Sequence, residues 1–352
     1  MAITKPVIIA GAGPVGCVAA LRLVQAGIPI ILLEGAAELP RTLRASTFHP
    51  PTVDMMDDLG ITAELEAQGL ICRYYQYRDR RTGEIAEFDL DVLREDTKHP
   101  YRLQVEQYKL TQLIWKILER DYPHLSKCLL NHMVKGVHQT ADGVEVLAWE
   151  GMQERLFEGS FVLACDGSDS AIRKAMAIQF EGFTYPERFL VASTEFPLET
   201  KFDRLAYVNY VSDPDEWLVL LRTPSVWRVL IPTDPKIEDD NYFLSDRWIQ
   251  DRLHHMAPHD ADYPLAHRSI YRVHQRVAKI WRRGRVLLAG DSAHMNNPLG
   301  GMGANGGIHD SWNAAEKLIR IHHGEAMDPL LDLYDRQRRT ICVKFVQEHT
   351  IN

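Results

Sequence analysis

Two glycine clusters in this 352-residue chain share the spacing G-x-G-x-x-G: Gly11, Gly13 and Gly16 in GAGPVG, and Gly301, Gly303 and Gly306 far downstream. Glycine is costly to order, so it collects where a backbone bends unusually or lies against something. Directly after a strand, this spacing offers capture of a pyrophosphate. The glycines make a tight turn and allow close approach, and the free amides opening the next helix face the phosphates. An acid ending the following strand accepts from a ribose hydroxyl.

The elements that must place these groups are legible around the first cluster. Val7-Ile8-Ile9-Ala10 is a β-branched run that stops at Gly11. Val15, Val18, Ala19 and Leu23 then recur at helical spacing until Gly27, and a second apolar run, residues 28–33, ends on Glu34. We read a dinucleotide site here, with Gly11, Gly13, Pro14, Val15, Gly16, Glu34 and Gly35 as its contacts. An acid at position 34 suits NAD or the ADP half of FAD and repels a 2′-phosphate, so NADP is not expected at this site.

The second cluster lacks that context. The run 285–289 ends at Gly290-Asp291, nine residues including Pro298 separate Asp291 from Gly301, and no strand ending in an acid follows. Its expected role is a glycine-rich entrance to a helix that begins near Gly303 and runs through Ile308, Trp312, Ala315 and Ile319. Free N–H groups and the positive end of the helix dipole then face a ligand. A flavin ring, negatively charged near its pyrimidine edge when reduced, would benefit.

Composition narrows the function classes. Hydrophobic content of 45% and charged content of 25% are ordinary for a globular chain. A net charge of −8 argues against a nucleic-acid binder or a binder of anionic membranes. Five cysteines without a C-x-x-C fit a reducing compartment better than a disulfide framework. The apolar N-terminal stretch is broken by Gly-Pro and continues into a second strand, so it reads as fold rather than leader. No segment reaches the ~18 apolar residues of a membrane helix. A cytoplasmic protein is expected, with no metal site: His255 and His259 are separated by Pro258 and lack a third ligand.

With Cys165-Asp166-Gly167-Ser168-Asp169 after the run 161–164, and Gly290-Asp291-Ser292-Ala293-His294 before Pro298-Leu299-Gly300-Gly301, the chain resembles the class A, single-component flavoprotein monooxygenases, typified by para-hydroxybenzoate hydroxylase. The resemblance extends from about residue 5 to 340. It implies an α/β fold: a Rossmann-like FAD-binding domain (1–73, 102–180 and 282–352) interleaved with a mostly antiparallel β-sheet substrate domain (74–101 and 181–281). It implies that Asp291, after Gly290, bonds the ribityl chain of FAD, and that the backbone from Gly301 through Gly303, Ala304 and Asn305 holds the ring. Pro298 would lie beside the reacting face. Arg44 and Gln107 would contact the cofactor, and Asp166 and Gly167, with Arg173 nearby, would serve FAD and a passing NADH or NADPH. Two departures stand out: chains of this family usually continue some tens of residues beyond the position of Asn352, and Ala177 stands where glycine is common.

The substrate side is read from β-rich runs at 189–196, 205–211, 217–222 and 226–232. Alternation places Tyr207 and Asn209 on one face of a strand and Tyr210 on the other; either tyrosine is a candidate to relay a phenol proton, beside the alternative of plain sheet packing. Arg204, Arg222 and Arg228 are expected at the surface, beside the alternative that one of them pairs with a substrate carboxylate, and 238–241 as a solvated loop. The activity implied is hydroxylation of a small aromatic, phenolic substrate with NAD(P)H and O2 through a flavin C4a-hydroperoxide, by a monomer or homodimer. A reductase or halogenase of the same fold and a non-catalytic flavin or nucleotide sensor are the alternatives. Trp227 to Pro232 matches only the end of the halogenase G-W-x-W-x-I-P motif.

Overall fold

The run Val7–Ala10 is wholly buried and pairs in parallel with Ile30–Leu33 on one side and Phe161–Ala164 on the other. Strands covered on both faces must be apolar at every position, which is why these runs carry no alternation. The sheet order is Arg282–Arg283, Val286–Leu288, Phe161–Ala164, Val7–Ala10, Ile30–Leu33 and Ser126–Leu129, with only the first strand antiparallel. The helix Pro14–Gln25 packs against both Met302–His322 and Gln107–Asp121. Gly27, at φ 80°, ends that helix while Ile28 N–H returns to the Leu23 carbonyl. Ile28 thus belongs to the helix cap, and the second strand begins at Ile30 rather than Ile28.

We obtained these elements from a computed structural model that describes residues 3–41, 45–214 and 216–351. The chain divides into two compact units, 1–45 with 107–183 and 274–352, and 46–106 with 184–273. The sequence expectation set the breaks at 73, 101, 180 and 281. Segments flanking 74–101 join the second unit because Thr47–Phe48, Arg102–Gln104 and Leu70–Cys72 form a small antiparallel sheet of their own, fastened by a bond from Thr47 Oγ1 to Gln104 Oε1 at 2.9 Å.

The second unit is built on a sheet whose neighbouring strands run Leu265–Ala278, Phe180–Thr194, Trp227–Pro232, Leu218–Arg222, Val208–Ser212, Tyr74–Asp79 and Gly83–Asp89, with 274–278 and 180–183 of the first two counted in the first unit. The pairings with resolved register are antiparallel except that of Val208–Ser212 with Tyr74–Asp79. One sheet face, with Leu190, Leu220, Trp227 and Val229, packs on Phe243, Trp248 and Leu253 of the helices Asp240–Leu244 and Asp246–Met256. Sequence reading missed both helices; of the expected loop at 238–241, Glu238 and Asp239 are exposed loop, while Asp240 and Asn241 begin the first helix, where Asp239 accepts from Asn241 N–H. It also missed Leu265–Ala278, whose arginines and histidines hide its period, and the exposed first half of Phe180–Thr194.

Candidate cofactor site

The first glycine turn is built by three glycines under different constraints. Gly11 lies at φ 97°, and a Cβ there would sit 2.3 Å from the Cys165 carbonyl oxygen. At Gly16 a Cβ would sit 2.0 Å from the Gly11 carbonyl oxygen. Both are demanded by the protein's own packing. Gly13 is not: a Cβ there meets nothing within 4 Å among the described residues. It caps the helix whose first residue is Pro14, so open space lies where a phosphate group would approach free helical amides. Val15, next in that helix, packs under the second motif: added Cβ atoms at Gly290 and Gly307 would come within 2.9 and 2.7 Å of its Cγ2.

Glu34 closes the turn from the side. Its Oε2 accepts from Ala12 N–H at 2.9 Å and its Oε1 from Ala36 N–H at 3.0 Å, so the acid also holds the glycine loop on the end of its strand. Gly35 follows it against Met133. Gln107 starts the helix Gln107–Asp121 and donates its N–H to the Ala45 carbonyl. Arg44 lies outside the described residues.

The Asp-Gly and Gly-Asp motifs are joined by Arg173. Its Nη2 donates to the Ser168 carbonyl at 2.7 Å, its Nη1 to the Ser292 carbonyl at 3.0 Å, and its guanidinium lies 3.9 Å from the Phe180 ring centre. Asp166 Oδ2 accepts from Ile172 N–H at 3.2 Å, while the buried Oδ1 has no hydrogen-bond partner among the described residues. Burial raises its pKa above the usual carboxylate range. A buried carboxylate oxygen without a donor is unfavourable until something supplies one, and a hydroxyl-bearing ligand would. Gly167, at φ 79°, has open space around its missing Cβ.

In the second motif Gly290 is left-handed at φ 64° and opens a one-turn helix, Gly290–Ser292, that leaves Asp291 exposed. Pro298 precedes a further single turn. Gly300 at φ 80° and Gly301 at φ 67° then reverse the chain into Met302–His322. The glycine density of this stretch therefore has two causes: left-handed backbone at 300 and 301, and contact of Gly307 with Gly290. Gly303 and Ala304 occupy the first helical turn, and Asn305 donates its amide to the Gly301 carbonyl at 2.6 Å. Open glycines, a buried carboxylate oxygen without a donor among the described residues and a helix entrance within one unit fit a dinucleotide with an attached ring system.

The whole chain agrees with that geometry. Residues 4–349 match the FAD binding domain family. The chain belongs to this family. It is 34% identical to para-nitrophenol 4-monooxygenase of Pseudomonas sp. (strain WBC-3), over 96% of this chain and 84% of that one. It is 30% identical to 6-hydroxy-3-succinoylpyridine 3-monooxygenase of Pseudomonas putida, covering 98% and 87%. Among solved structures, p-nitrophenol 4-monooxygenase from Pseudomonas putida DLL-E4 superposes with a TM-score of 0.91 at 30% identity, covering 99% of this chain and 88% of that one. This FAD-binding family member is an FAD-dependent monooxygenase.

On the substrate side the strand begins at Val208, so Tyr207 lies outside it and is exposed; alternation does not fix its direction. Asn209 is buried and donates to the Ala206 carbonyl. Tyr210 pairs in register with Tyr77, and their rings stack at 5.2 Å. Arg204 is exposed near Glu87. Arg228, expected at the surface, is 5% exposed and donates to Ser46 Oγ at 3.0 Å, because its strand position places it opposite Ser193 on the sheet. Among the described residues no group of His, Cys, Asp and Glu could hold a metal, and no helix is long and apolar enough to cross a membrane.

Proposed function

We propose that this enzyme hydroxylates a phenolic aromatic ring, taking a hydride from NADH or NADPH and one atom of O2, with the other atom leaving as water. The reading rests on one conjunction: a glycine turn and a glycine-rich helix entrance with open space beside them, and likeness over most of the length to two monooxygenases whose names carry a hydroxylated ring. FAD, when bound, supplies the redox and oxygen chemistry.

Gly11, Gly13, Pro14, Val15 and Gly16 hold the pyrophosphate on the helix amides, and Glu34 and Gly35 take the adenosine ribose. Asp291, after Gly290, takes the ribityl hydroxyls, and Asp166 and Gly167 offer a further acceptor. Gly301, Gly303, Ala304 and Asn305 line the ring edge, and Pro298 borders the reacting face. Arg44 and Gln107 complete the cofactor contacts. Of the two tyrosines, Tyr210 is the better candidate for moving a phenol proton, because it stands on the sheet face opposite the one that packs on the unit's own helices. The five free thiols agree with a cytoplasmic setting.

The test is an absorbance record of FAD-loaded protein mixed with NADH or NADPH, with and without a panel of phenols, followed by mass analysis of products under 18O2. Faster bleaching with one phenol and a labelled product support the reading. Reduction without any hydroxylated product defeats it.

A further inference from the structure

Asp310 lies within Met302–His322 and is fully buried, yet three other groups converge on its carboxylate. Its Oδ2 accepts from Gly290 N–H at 3.2 Å and bonds His294 Nε2 at 2.8 Å. Its Oδ1 accepts from Arg338 Nε at 2.7 Å, and Arg338 Nη2 also donates to the Gly306 carbonyl at 3.3 Å. Arg338 belongs to the helix Leu330–Ile341. The His294 ring is stacked on Trp281, 5.1 Å between centres and 6° between planes. Burial opposes a charge on His294, but the neighbouring Cys342 and Asp310 outweigh it and hold its pKa well above the ordinary value. Asp310 is held low against its own burial by His294 and Arg338.

Burying such ions is costly, and an apolar replacement often serves stability as well. Stability is therefore a weak reason for the cluster. Its geometry offers a better one. Gly290 N–H opens the turn that presents Asp291, and that amide is fastened to the carboxylate. The same carboxylate is fixed by Arg338, which also bonds a carbonyl of the glycine-rich helix entrance.

We propose that Asp310, clamped between His294 and Arg338, is a positioning residue that holds the Gly290–Ser292 turn and the start of the glycine-rich helix in register for FAD. This rests on the cofactor assignment above. The carboxylate orders a backbone donor and two cationic side chains before the cofactor arrives, so the turn does not have to be ordered on binding.

The experiment uses full-length wild type, D310N, R338M and R338K, each studied with FAD and after its removal. In D310N the FAD dissociation constant is expected to rise by about tenfold or more, as for loss of one charge-assisted bond. Amides 290–292 of the FAD-free protein should exchange faster while those of Val7–Ala10 keep wild-type protection. R338M should show part of this loss, and R338K, which keeps a cationic donor, should stay closer to wild type. Wild-type affinity with unchanged exchange at 290–292 overturns the proposal, as does a uniform loss of protection across the sheet. If D310N does not fold, the contrast between R338K and R338M carries the same test. If wild type itself binds no FAD, the cofactor assignment fails, while exchange at 290–292 still tells whether Asp310 holds the turn.

Discussion

The three glycines of GAGPVG look alike in sequence, yet they answer to different neighbours. Gly16 has no room for a methyl group against the Gly11 carbonyl, whereas Gly13 has open space. Gly16→Ala should therefore fail to give a cooperatively unfolding protein, read by circular dichroism melting. Gly13→Ala should still unfold cooperatively without FAD, because its extended backbone and open surroundings accept a methyl group at the modest cost of a weaker helix N-cap, yet its FAD dissociation constant should rise by about tenfold, or ~1.4 kcal/mol. Ala177 shows the reverse. It stands where the family commonly has glycine and is left-handed at φ 50°, just past the short helix Ala171–Ala175. That conformation costs a non-glycine residue roughly 1–2 kcal/mol, partly offset by the roughly 0.4–1 kcal/mol of extra chain entropy that glycine loses. Ala177→Gly should raise the urea midpoint, by a gain of about 0.5 kcal/mol or more.

At the scale of elements, the Asp-Gly and Gly-Asp segments lie more than a hundred residues apart, and Arg173 bridges them through two carbonyls. Lysine cannot span both with a planar fork. Arg173→Lys should thus lose about 2 kcal/mol in urea unfolding, and its FAD affinity should fall with it. Strands flanking the turn were legible because both of their faces are buried and the apolar run is unbroken. The long strand Leu265–Ala278 was not, since its exposed arginines and histidines blur the alternation, and the helix Asp246–Met256 lies in a stretch dominated by charge.

For the whole molecule, the half-buried His309 and the buried His294 shape stability against pH in opposite windows. Burial first, then the Arg338 cation, holds His309 down at about 4 from its ordinary 6.5. The unfolded chain therefore binds the extra proton between those values, and stability falls as pH drops from about 6.5 to about 4. His309→Gln should flatten that acid limb in a series of melting temperatures against pH. His294 is shifted upward, so its contribution is full below the unfolded value of 6.5 and is lost as pH rises through the folded one. His294→Asn should flatten the alkaline limb instead.

The sequence by itself determined the parallel sheet, the glycine turn with Glu34, the family and the cofactor class. Those features are encoded in contiguous residues whose spacing and apolarity are local properties. Only the tertiary structure decided the rest. Asp310 has no motif or spacing that marks it in the sequence, and its role emerges only where Gly290, His294 and Arg338 close on its carboxylate. Arg228 reads as a surface cation until its strand is placed inside the sheet. The unpartnered oxygen of Asp166 and the open space at Gly13 have no signature in sequence. Burial and the satisfaction of charge depend on groups far apart along the chain, and only folding brings those groups together.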